Sequence, residues 1–272
     1  MIKIYPKTSE IEQGVISLKP YAEKYKGIEI QYFHNEDIWG NFNLTEGIEK
    51  ILKKIHGLEE ITVHPPLHNY DIEVLMTKDE NIVIRLLDEL KEISEKYNLK
   101  LNIIFHTHWN IQMHEQATIE KFRKYANYLE NTNIKILIEN LFMTNEDRCA
   151  ALEICERVGS NHLKTCIDVC HLYCKANIKE IEIEKFLEGY LDKELCKKHV
   201  YQVHFADTKN NDGYKDKKTH GRKHDSYEDV VRDFEMLKKY GIEDVIFVTE
   251  VGEEDYESRK DQIEEIEYLE RI

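Results

Sequence analysis

The sequence lacks any long hydrophobic run, and this absence argues against a membrane protein. Of its 272 residues, 41% are hydrophobic and 33% are charged, which is an ordinary balance for a soluble chain. No apolar stretch approaches the roughly 20 residues that cross a bilayer. The opening segment, MIKIYPKTSE, lacks the apolar core and the small-residue cleavage site of a signal peptide. We therefore expect a cytoplasmic protein without a membrane partner.

Positive charge is also scarce. Lysine and arginine number 38 against 53 aspartates and glutamates, which gives a formal net charge of −15. Affinity for nucleic acids comes largely from cations that neutralise phosphates, so this balance argues against a general nucleic-acid binder and leaves room only for a local basic site. The acidic segment GEEDYESRKDQIEEIEYLE contributes much of the imbalance, and it is typical of a solvated helix face.

The sequence contains no C-x-x-C pair that would indicate a thiolate metal site or a thioredoxin-like motif. Cys166, Cys170 and Cys174 instead recur every four residues in CIDVCHLYC, a spacing that matches neither pattern. We expect all six cysteines to be reduced thiols that mainly fill the core. A nucleophilic Cys170 activated by His171 is the alternative, but neighbours on a strand point to opposite faces and make a poor pair.

Short β-branched or aromatic runs alternate with longer amphipathic windows along the chain. The predicted strands are IKIY from position 2, IEIQYF from 28, ITVH from 61, LNIIFH from 101, IKILIE from 134, LKTCIDV from 163, VYQVHF from 200 and VIFVTEV from 245. Windows such as NIVIRLLDELKEISEKYN and YEDVVRDFEMLKKYG carry apolar residues at helical spacing, and the second ends on Gly241, as a helix C-terminus often does.

Eight strand–helix units of roughly 30 residues predict an α/β fold, a single (β/α)8 TIM barrel over residues 1–272. No Gly/Ser/Pro-rich linker interrupts the series. An open doubly wound sheet is the alternative architecture, but neither G-x-G-x-x-G nor G-x-x-x-x-G-K-[ST] is present to support it. The one long connection, about 208–226, contains TKNNDGYKDKKTHGRKHDS, and loops of this length are usually functional or disordered.

Residue types that bind metals end strand after strand of this pattern. They are His64, His106, His108, Glu139, Asp168, His171, His204, Asp207 and Glu250. In a parallel barrel the C-terminal strand ends line the active-site mouth, and charges there are costly unless they are paired or coordinating. The pattern therefore predicts a metal centre, although a single His or Glu in this position is more often just a hydrogen-bonded side chain.

Mixed imidazole and carboxylate ligands without thiolates favour Zn²⁺, Mn²⁺, Fe²⁺ or Co²⁺ over Mg²⁺ or Ca²⁺. We expect Zn²⁺ or Mn²⁺, with one to three ions per chain. His106 and His108 share one face of their strand, so His108 could be a ligand, or it could face the substrate. Asp168 would bind the ion directly, and His171 would bind a second ion or a substrate hydroxyl.

The segments VHPP, FHTH, IEN, CIDVCH and HFADTK, together with the glutamate of VTEV, resemble the xylose isomerase-like barrel superfamily. That superfamily includes many sugar isomerases and epimerases and the endonuclease IV family, also called AP endonuclease family 2. The resemblance covers essentially the whole chain. CIDVCH and HFADTK are similar to the D-T-C-H and H-x-N-D-x-K segments of the endonuclease family.

The endonuclease pattern implies that Glu139 bridges two metals in a phosphodiester hydrolase. One metal would be completed by His64 and His106, and the other by Asp168, His204 and Glu250.

A third metal would need His171, His220 and an aspartate two residues before His220. This sequence departs there, because position 218 is Lys and the nearest acid is Asp216. The glycine-rich segment that follows Glu-Asn in the family is also replaced, by ENLFMTN. These departures count against the third metal and a DNA-repair role.

The isomerase branch of the resemblance implies one divalent ion, held by Glu139, Asp168, His204 and Glu250. Glu139 and Glu250 would be the catalytic residues that move a proton between neighbouring carbons through an enediolate, while His171 holds a hydroxyl.

The overall expectation is a metal-dependent isomerase or epimerase of a small sugar or sugar phosphate, with a zinc phosphodiester hydrolase as the alternative. The third hypothesis is a non-catalytic barrel that only binds a metal or a sugar. Lys209 or Arg222 of the basic loop could hold a substrate phosphate, although a solvated lysine-rich loop is the simpler interpretation.

Overall fold

The computed structural model describes residues 2–9, 12–31, 44–65, 80–107, 115–142, 146–208, 221–252 and 258–272. Eight parallel strands in this part of the chain pair in chain order and close into a barrel. They are β1 (Lys3–Ser9), β2 (Gly27–Gln31), β3 (Glu60–His64), β4 (Lys100–His106), β5 (Ile134–Glu139), β6 (Leu163–Asp168), β7 (Val200–Phe205) and β8 (Ile246–Thr249). The predicted (β/α)8 TIM barrel is confirmed.

Helices described between and after these strands form the outer layer. They are α1 (Glu12–Tyr25), α2 (Leu44–Leu52), α3 (Glu80–Tyr97), α4 (Gln116–Tyr128), α5 (Ala150–Val158), α6 (Val169–Ile178), α7 (Ile183–Tyr190), α8 (Lys193–His199), α9 (Tyr227–Lys238) and α10 (Lys260–Leu269). Every strand-to-strand connection therefore contains at least one helix, as parallel pairing requires.

The strands are buried on both faces, which explains their composition. Every residue of β2 and β3 is buried, because one face contacts the barrel interior and the other contacts the helices. Ile28 and Ile30 on the helix-facing side belong to the large apolar core, whereas Glu29 between them is also completely buried. A buried acid at an inward position needs a partner, and it has one in the site described below.

The amphipathic windows fold as the sequence predicts. NIVIRLLDELKEISEKYN corresponds to α3, and YEDVVRDFEMLKKYG corresponds to α9. Gly241 follows α9 with φ of 74°, a left-handed conformation that glycine adopts without steric cost. The amide of Ile242 returns to the carbonyl of Leu237, so the end of the helix is satisfied as in other glycine-terminated helices.

Strand register aligns the C-terminal ends of adjacent strands, where the predicted site residues lie. Across three strand pairs, Gln31 lies opposite His64, His106 opposite Glu139, and Asp168 opposite His204. Because all eight strands are parallel, their C-terminal ends open on the same side, where barrel active sites are built.

Candidate metal centre

Seven of the predicted site residues converge at the C-terminal mouth of the barrel. Five are the last or near-last residues of strands β3 to β7, one lies in the first turn of α6, and one follows β8: His64, His106, Glu139, Asp168, His204, His171 and Glu250. Six of them are at most 6% exposed, and the side chain of Glu250 is 17% exposed. The mouth therefore holds a dense group of imidazoles and carboxylates that solvent barely reaches.

Glu139 lies at the centre of this group, and its two oxygens face different partners. Its Oε1 is 3.4 Å from Nδ1 of His204 and 3.6 Å from Nδ1 of His171. Its Oε2 is 3.6 Å from Nε2 of His64 and 3.4 Å from Nε2 of His106. The carboxylate thus separates two sets of imidazoles, and it is placed where it could bind a cation on either side.

Four ligand atoms, one each from Glu139, Asp168, His204 and Glu250, lie within 4.8 Å of one another. Nδ1 of His204 is 2.7 Å from Oε2 of Glu250 and 3.9 Å from Oδ2 of Asp168. Within the described part of the chain, Nδ1 of His204, Oε2 of Glu139 and Oε2 of Glu250 are buried without a geometrically acceptable hydrogen bond. Buried polar atoms need partners, and this donor set fits a divalent cation of the zinc or manganese type.

The second nitrogen of His204 fixes which nitrogen can bind a cation. Its Nε2 lies 2.9 Å from Oε2 of Glu29, a contact buried on both sides. An Nε2–H donated to this carboxylate leaves the lone pair of Nδ1 directed at the cluster. Metal-binding histidines characteristically make such a contact with a carboxylate behind them.

Two of the carboxyls and two of the imidazoles have the protonation states that cation binding requires. Burial opposes the charge of Glu139 and Glu250, but the neighbouring His204 holds the pKa of both carboxyls well below the ordinary value. Burial lowers the pKa of His106 to about 3, and it also lowers the pKa of His171, so both rings are neutral. Burial opposes protonation of His204 too, yet the carboxylates around it raise its pKa well above the ordinary value, and a bound cation would compete with that proton.

Asn140 orients the next two members of the cluster. Its side chain accepts from the backbone amide of Asp168 at 2.8 Å and donates to the Asp168 carbonyl at 3.2 Å. Its own carbonyl lies 2.7 Å from Nδ1 of His171, so Nδ1 is the donor nitrogen and Nε2 is the nitrogen with the acceptor lone pair. Oδ1 of Asp168 caps α6 by accepting from the His171 amide at 2.7 Å.

Lys7 and Glu29 belong to the site although the sequence did not predict them. Lys7 on β1 is 5% exposed and Glu29 on β2 is fully buried. The ammonium of Lys7 contacts Oε1 of Glu250 and lies 3.1 Å from Oε1 of Glu29. Neither residue ends its strand, so a search of strand ends misses them. For Glu29 the available signal was a charged side chain between two isoleucines; the polar end of β1 gives no such signal for Lys7.

The structure corrects the predicted secondary structure at Cys170. The predicted strand LKTCIDV ends at Asp168, and Cys170 and His171 lie in the first turn of α6 rather than on a strand. The Cys170 thiol donates to the Ala206 carbonyl at 3.3 Å, and burial raises its pKa well above the ordinary value. It is therefore a poor nucleophile. All six cysteines are buried and free, as expected for reduced core thiols.

Four other predicted site residues have no observed contact with the cluster in the described part of the chain. His108, Lys209 and His220 lie outside the described residues, so their roles stay predictions. Arg222 lies beyond the C-terminal end of β7, where its backbone pairs with Asp207 in both directions, at 2.7 and 3.0 Å. Its side chain is exposed, and its contact with a substrate phosphate also stays a prediction.

A second group of acidic side chains surrounds His224. Asp207, His224 and Asp233 offer ligand atoms within 4.8 Å of one another. However, Nδ1 of His224 lies 2.5 Å from Glu265, and its Nε2 lies 3.2 Å from Asp233. Both ring nitrogens are thus engaged by carboxylates, and this group is best described as a buried hydrogen-bond network.

The family model of the xylose isomerase-like TIM barrel matches residues 22–272. Among solved structures, 3-keto-D-glucoside 4-epimerase YcjR from E. coli is similar with a TM-score of 0.60 at 15% identity, covering 100% of both chains. A D-tagatose 3-epimerase-like protein has a TM-score of 0.57 at 14% identity, covering 98% of this chain and 96% of its own. SacUVDE has a TM-score of 0.54 at 14% identity, covering 100% and 99%.

At these identities the structural likeness shows the shared barrel fold alone. No protein of curated function is significantly similar to the sequence. None of the helices in the described ranges is both long and apolar enough to span a membrane.

Proposed function

The chain belongs to the xylose isomerase-like TIM barrel family, and on that premise we propose that it is a divalent-metal-dependent isomerase or epimerase of a small sugar or sugar phosphate. One observation carries the proposal. Glu139 and Glu250 both approach Nδ1 of His204, at 3.4 and 2.7 Å, yet they come from β5 and from the end of β8, three strands apart in the barrel. A substrate held at this point would meet two carboxylates that come from separate strands.

The cation would be held by Glu139, Asp168, His204 and Glu250. When bound, it supplies Lewis-acid stabilisation of the oxygens of an enediolate. The neighbouring His204 keeps both glutamates ionised, and the cation would do so in place of the His204 proton when bound, so either can begin as the base. One removes the proton from the carbon beside the carbonyl, while the other, after taking up a proton from solvent, delivers it to the same or the neighbouring carbon. The first outcome inverts a centre, and the second moves the carbonyl.

His171 is suited to binding a substrate hydroxyl. Its Nδ1 is committed to the Asn140 carbonyl at 2.7 Å, and the ring of Phe142 packs against it with centroids 5.3 Å apart. The imidazole is therefore fixed in orientation, and its neutral Nε2 can accept a hydrogen bond from a hydroxyl. Such a contact orients the substrate without taking part in proton transfer.

Names of similar structures support a sugar substrate. Two of the three carry a sugar or glycoside epimerase in their names. The net charge of −15 is compatible with a small substrate and weighs against a nucleic acid.

Solvent exchange at carbon tests the proposed reaction directly. Incubation of the Mn²⁺-loaded or Zn²⁺-loaded protein in D₂O with ketoses and ketose phosphates should place deuterium on the carbon beside the carbonyl, detected by NMR. The Glu139→Gln and Glu250→Gln variants are the matched controls and should show no exchange. A metal-loaded wild-type protein that exchanges no substrate hydrogen across the panel would reject the enediolate reaction.

Phosphodiester hydrolysis is the second candidate, and the two imidazoles on Oε2 of Glu139 favour it. His64 and His106 are both buried and lie 3.6 and 3.4 Å from that oxygen, where a one-metal isomerase has no evident need for them. Two ions bridged by a carboxylate are a common arrangement for phosphoester hydrolysis. Release of product from a small chromogenic phosphodiester, or cleavage of an abasic oligonucleotide, would select this candidate. Metal retention without either activity would indicate a barrel that only binds its ligand.

A further inference from the structure

Four charged residues form a closed ring that includes two of the proposed ligands, and all of them except the partly exposed Glu250 are buried. Glu250 contacts His204 through Oε2 at 2.7 Å, and His204 contacts Glu29 through Nε2 at 2.9 Å. Glu29 contacts Lys7 through its other oxygen at 3.1 Å, and Lys7 closes the ring on Oε1 of Glu250. Each carboxylate uses both of its oxygens, so none of the four side chains can turn without breaking a contact.

The ring joins strands that hold proposed ligands to strands that hold none. His204 lies on β7 and Glu250 follows β8, whereas Lys7 and Glu29 lie on β1 and β2, where the barrel closes through the β1–β8 pairing. Lys7 is 5% exposed and Glu29 is 0% exposed. An ammonium buried this deeply is stable only with close anionic partners, so its position depends on these two carboxylates.

We propose that Lys7 is a positioning residue that restricts Glu250 to binding the cation through one oxygen. Lys7 occupies Oε1 of Glu250, which leaves Oε2, the oxygen beside Nδ1 of His204, for the ion. A carboxylate limited to one oxygen keeps a coordination position free, and catalytic metal sites characteristically keep such a position for water or substrate. The role of Lys7 rests on the proposed metal centre.

Loss of Lys7 should tighten cation binding, the opposite of what a merely structural role predicts. In Lys7→Met, Glu250 can bind with both oxygens as carboxylates often do, and a nearby positive charge is gone. We expect the dissociation constant for Mn²⁺, measured by calorimetry, to fall by about tenfold or more, within the range in which outer-shell partners change metal affinity. A lysine that only supports the fold would leave the affinity unchanged or weaken it on removal.

Lys175→Met is the matched control. Lys175 is also a buried lysine, 2% exposed, and it is paired with Glu146 at 3.2 Å. Its removal should destabilise the fold to a comparable degree and leave the Mn²⁺ affinity at the wild-type value. Equal tightening in both variants would overturn the proposal.

A crystal structure of the wild-type protein with Mn²⁺ decides the question even if Lys7→Met does not fold. Ligation by Oε2 alone, with Lys7 on Oε1, supports the proposal, and ligation by both oxygens of Glu250 overturns it.

If the wild-type protein binds no Mn²⁺, the proposed metal function fails. Structures of the wild-type protein and of Lys7→Met without the ion then test the role of Lys7 itself. A Glu250 carboxylate that turns towards His204 in the variant supports its positioning role, and one that keeps its place overturns it.

Discussion

Gly221 packs directly against the backbone of Glu250. A β-carbon on Gly221 would lie 2.9 Å from the Glu250 carbonyl oxygen, and the amide of Gly252 donates to the Gly221 carbonyl at 2.6 Å. The chain that returns after β7 is thereby fixed to the chain that leaves β8. The position of a proposed ligand and catalytic carboxylate thus depends on the absence of a side chain at position 221.

Gly221→Ala should damage the site more than the fold. Alanine in a left-handed conformation, with φ of 70°, destabilises the fold by about 1 kcal/mol. Its β-carbon also clashes with the Glu250 backbone and displaces it. Because a displacement of about 1 Å can cost about 100-fold in rate, we expect a loss of that order in kcat. Gly57→Ala is the control, since its φ is 73° and nothing lies within 4 Å of the added carbon. Equal activity in the two variants would contradict the packing argument.

Glu139→Gln and Glu250→Gln should each abolish turnover while the barrel stays folded. Each change removes a charge and a proton acceptor at nearly constant volume, and positioned acid–base groups contribute about 10² to 10⁴ in rate. Activity and thermal unfolding should be measured together, with the exposed Glu95→Gln as control. Full activity in either site variant would refute the assignment of catalytic roles.

His224 should make stability depend on pH at the alkaline end. Burial opposes its charge, but Asp233 and Glu265 raise its pKa to about 10, against about 6.5 in an unfolded chain. Its contribution to the free energy of unfolding is therefore complete below about pH 6.5 and is lost as the pH rises through about 10. The pKa of Asp233 is lowered despite its burial, chiefly by His224, so its contribution is lost only as the pH falls through that lowered value.

Urea unfolding of the wild-type protein and of His224→Gln should reveal this dependence. At pH 7 the variant should be less stable by roughly 3 to 5 kcal/mol, because it leaves buried carboxylates without their cation. The difference between the two proteins should shrink as the pH rises from about 6.5 to about 10, because over that range folded His224 holds a proton that the unfolded chain has released. A difference that is constant from pH 7 to pH 10.5 would show that His224 is not held as a cation.

Strand ends could be predicted from the sequence because a parallel barrel places them all at one mouth. His64 and Glu139 end their strands, and His204 is the second-last residue of its strand, so all three lie at the C-terminal mouth. Lys7 and Glu29 could not be found in this way. Their contacts are made across the barrel interior by strands that are distant in sequence, and only the closed sheet brings Glu29 to His204, 175 positions away.

The roles of the two nitrogens of each imidazole also could not be predicted from the sequence. Spacing indicates that His171 and His204 face the mouth. The carbonyl of Asn140 and the carboxylate of Glu29 decide which nitrogen of each ring carries the proton. These partners lie on neighbouring or opposite strands, so they emerge only from three-dimensional packing.

Elemental analysis of the bound metal tests the central claim most directly. It should be made on protein purified without chelators or affinity-tag metal, for the wild type and for the His64→Ala, His106→Ala double variant. The account predicts at least one divalent ion per chain in both proteins, because Glu139, Asp168, His204 and Glu250 remain intact in the variant. Equal content in the two supports the isomerase, and loss of one ion of two or three supports the hydrolase. A wild-type protein without any divalent ion, or a variant that loses all of its metal, would contradict the proposed centre.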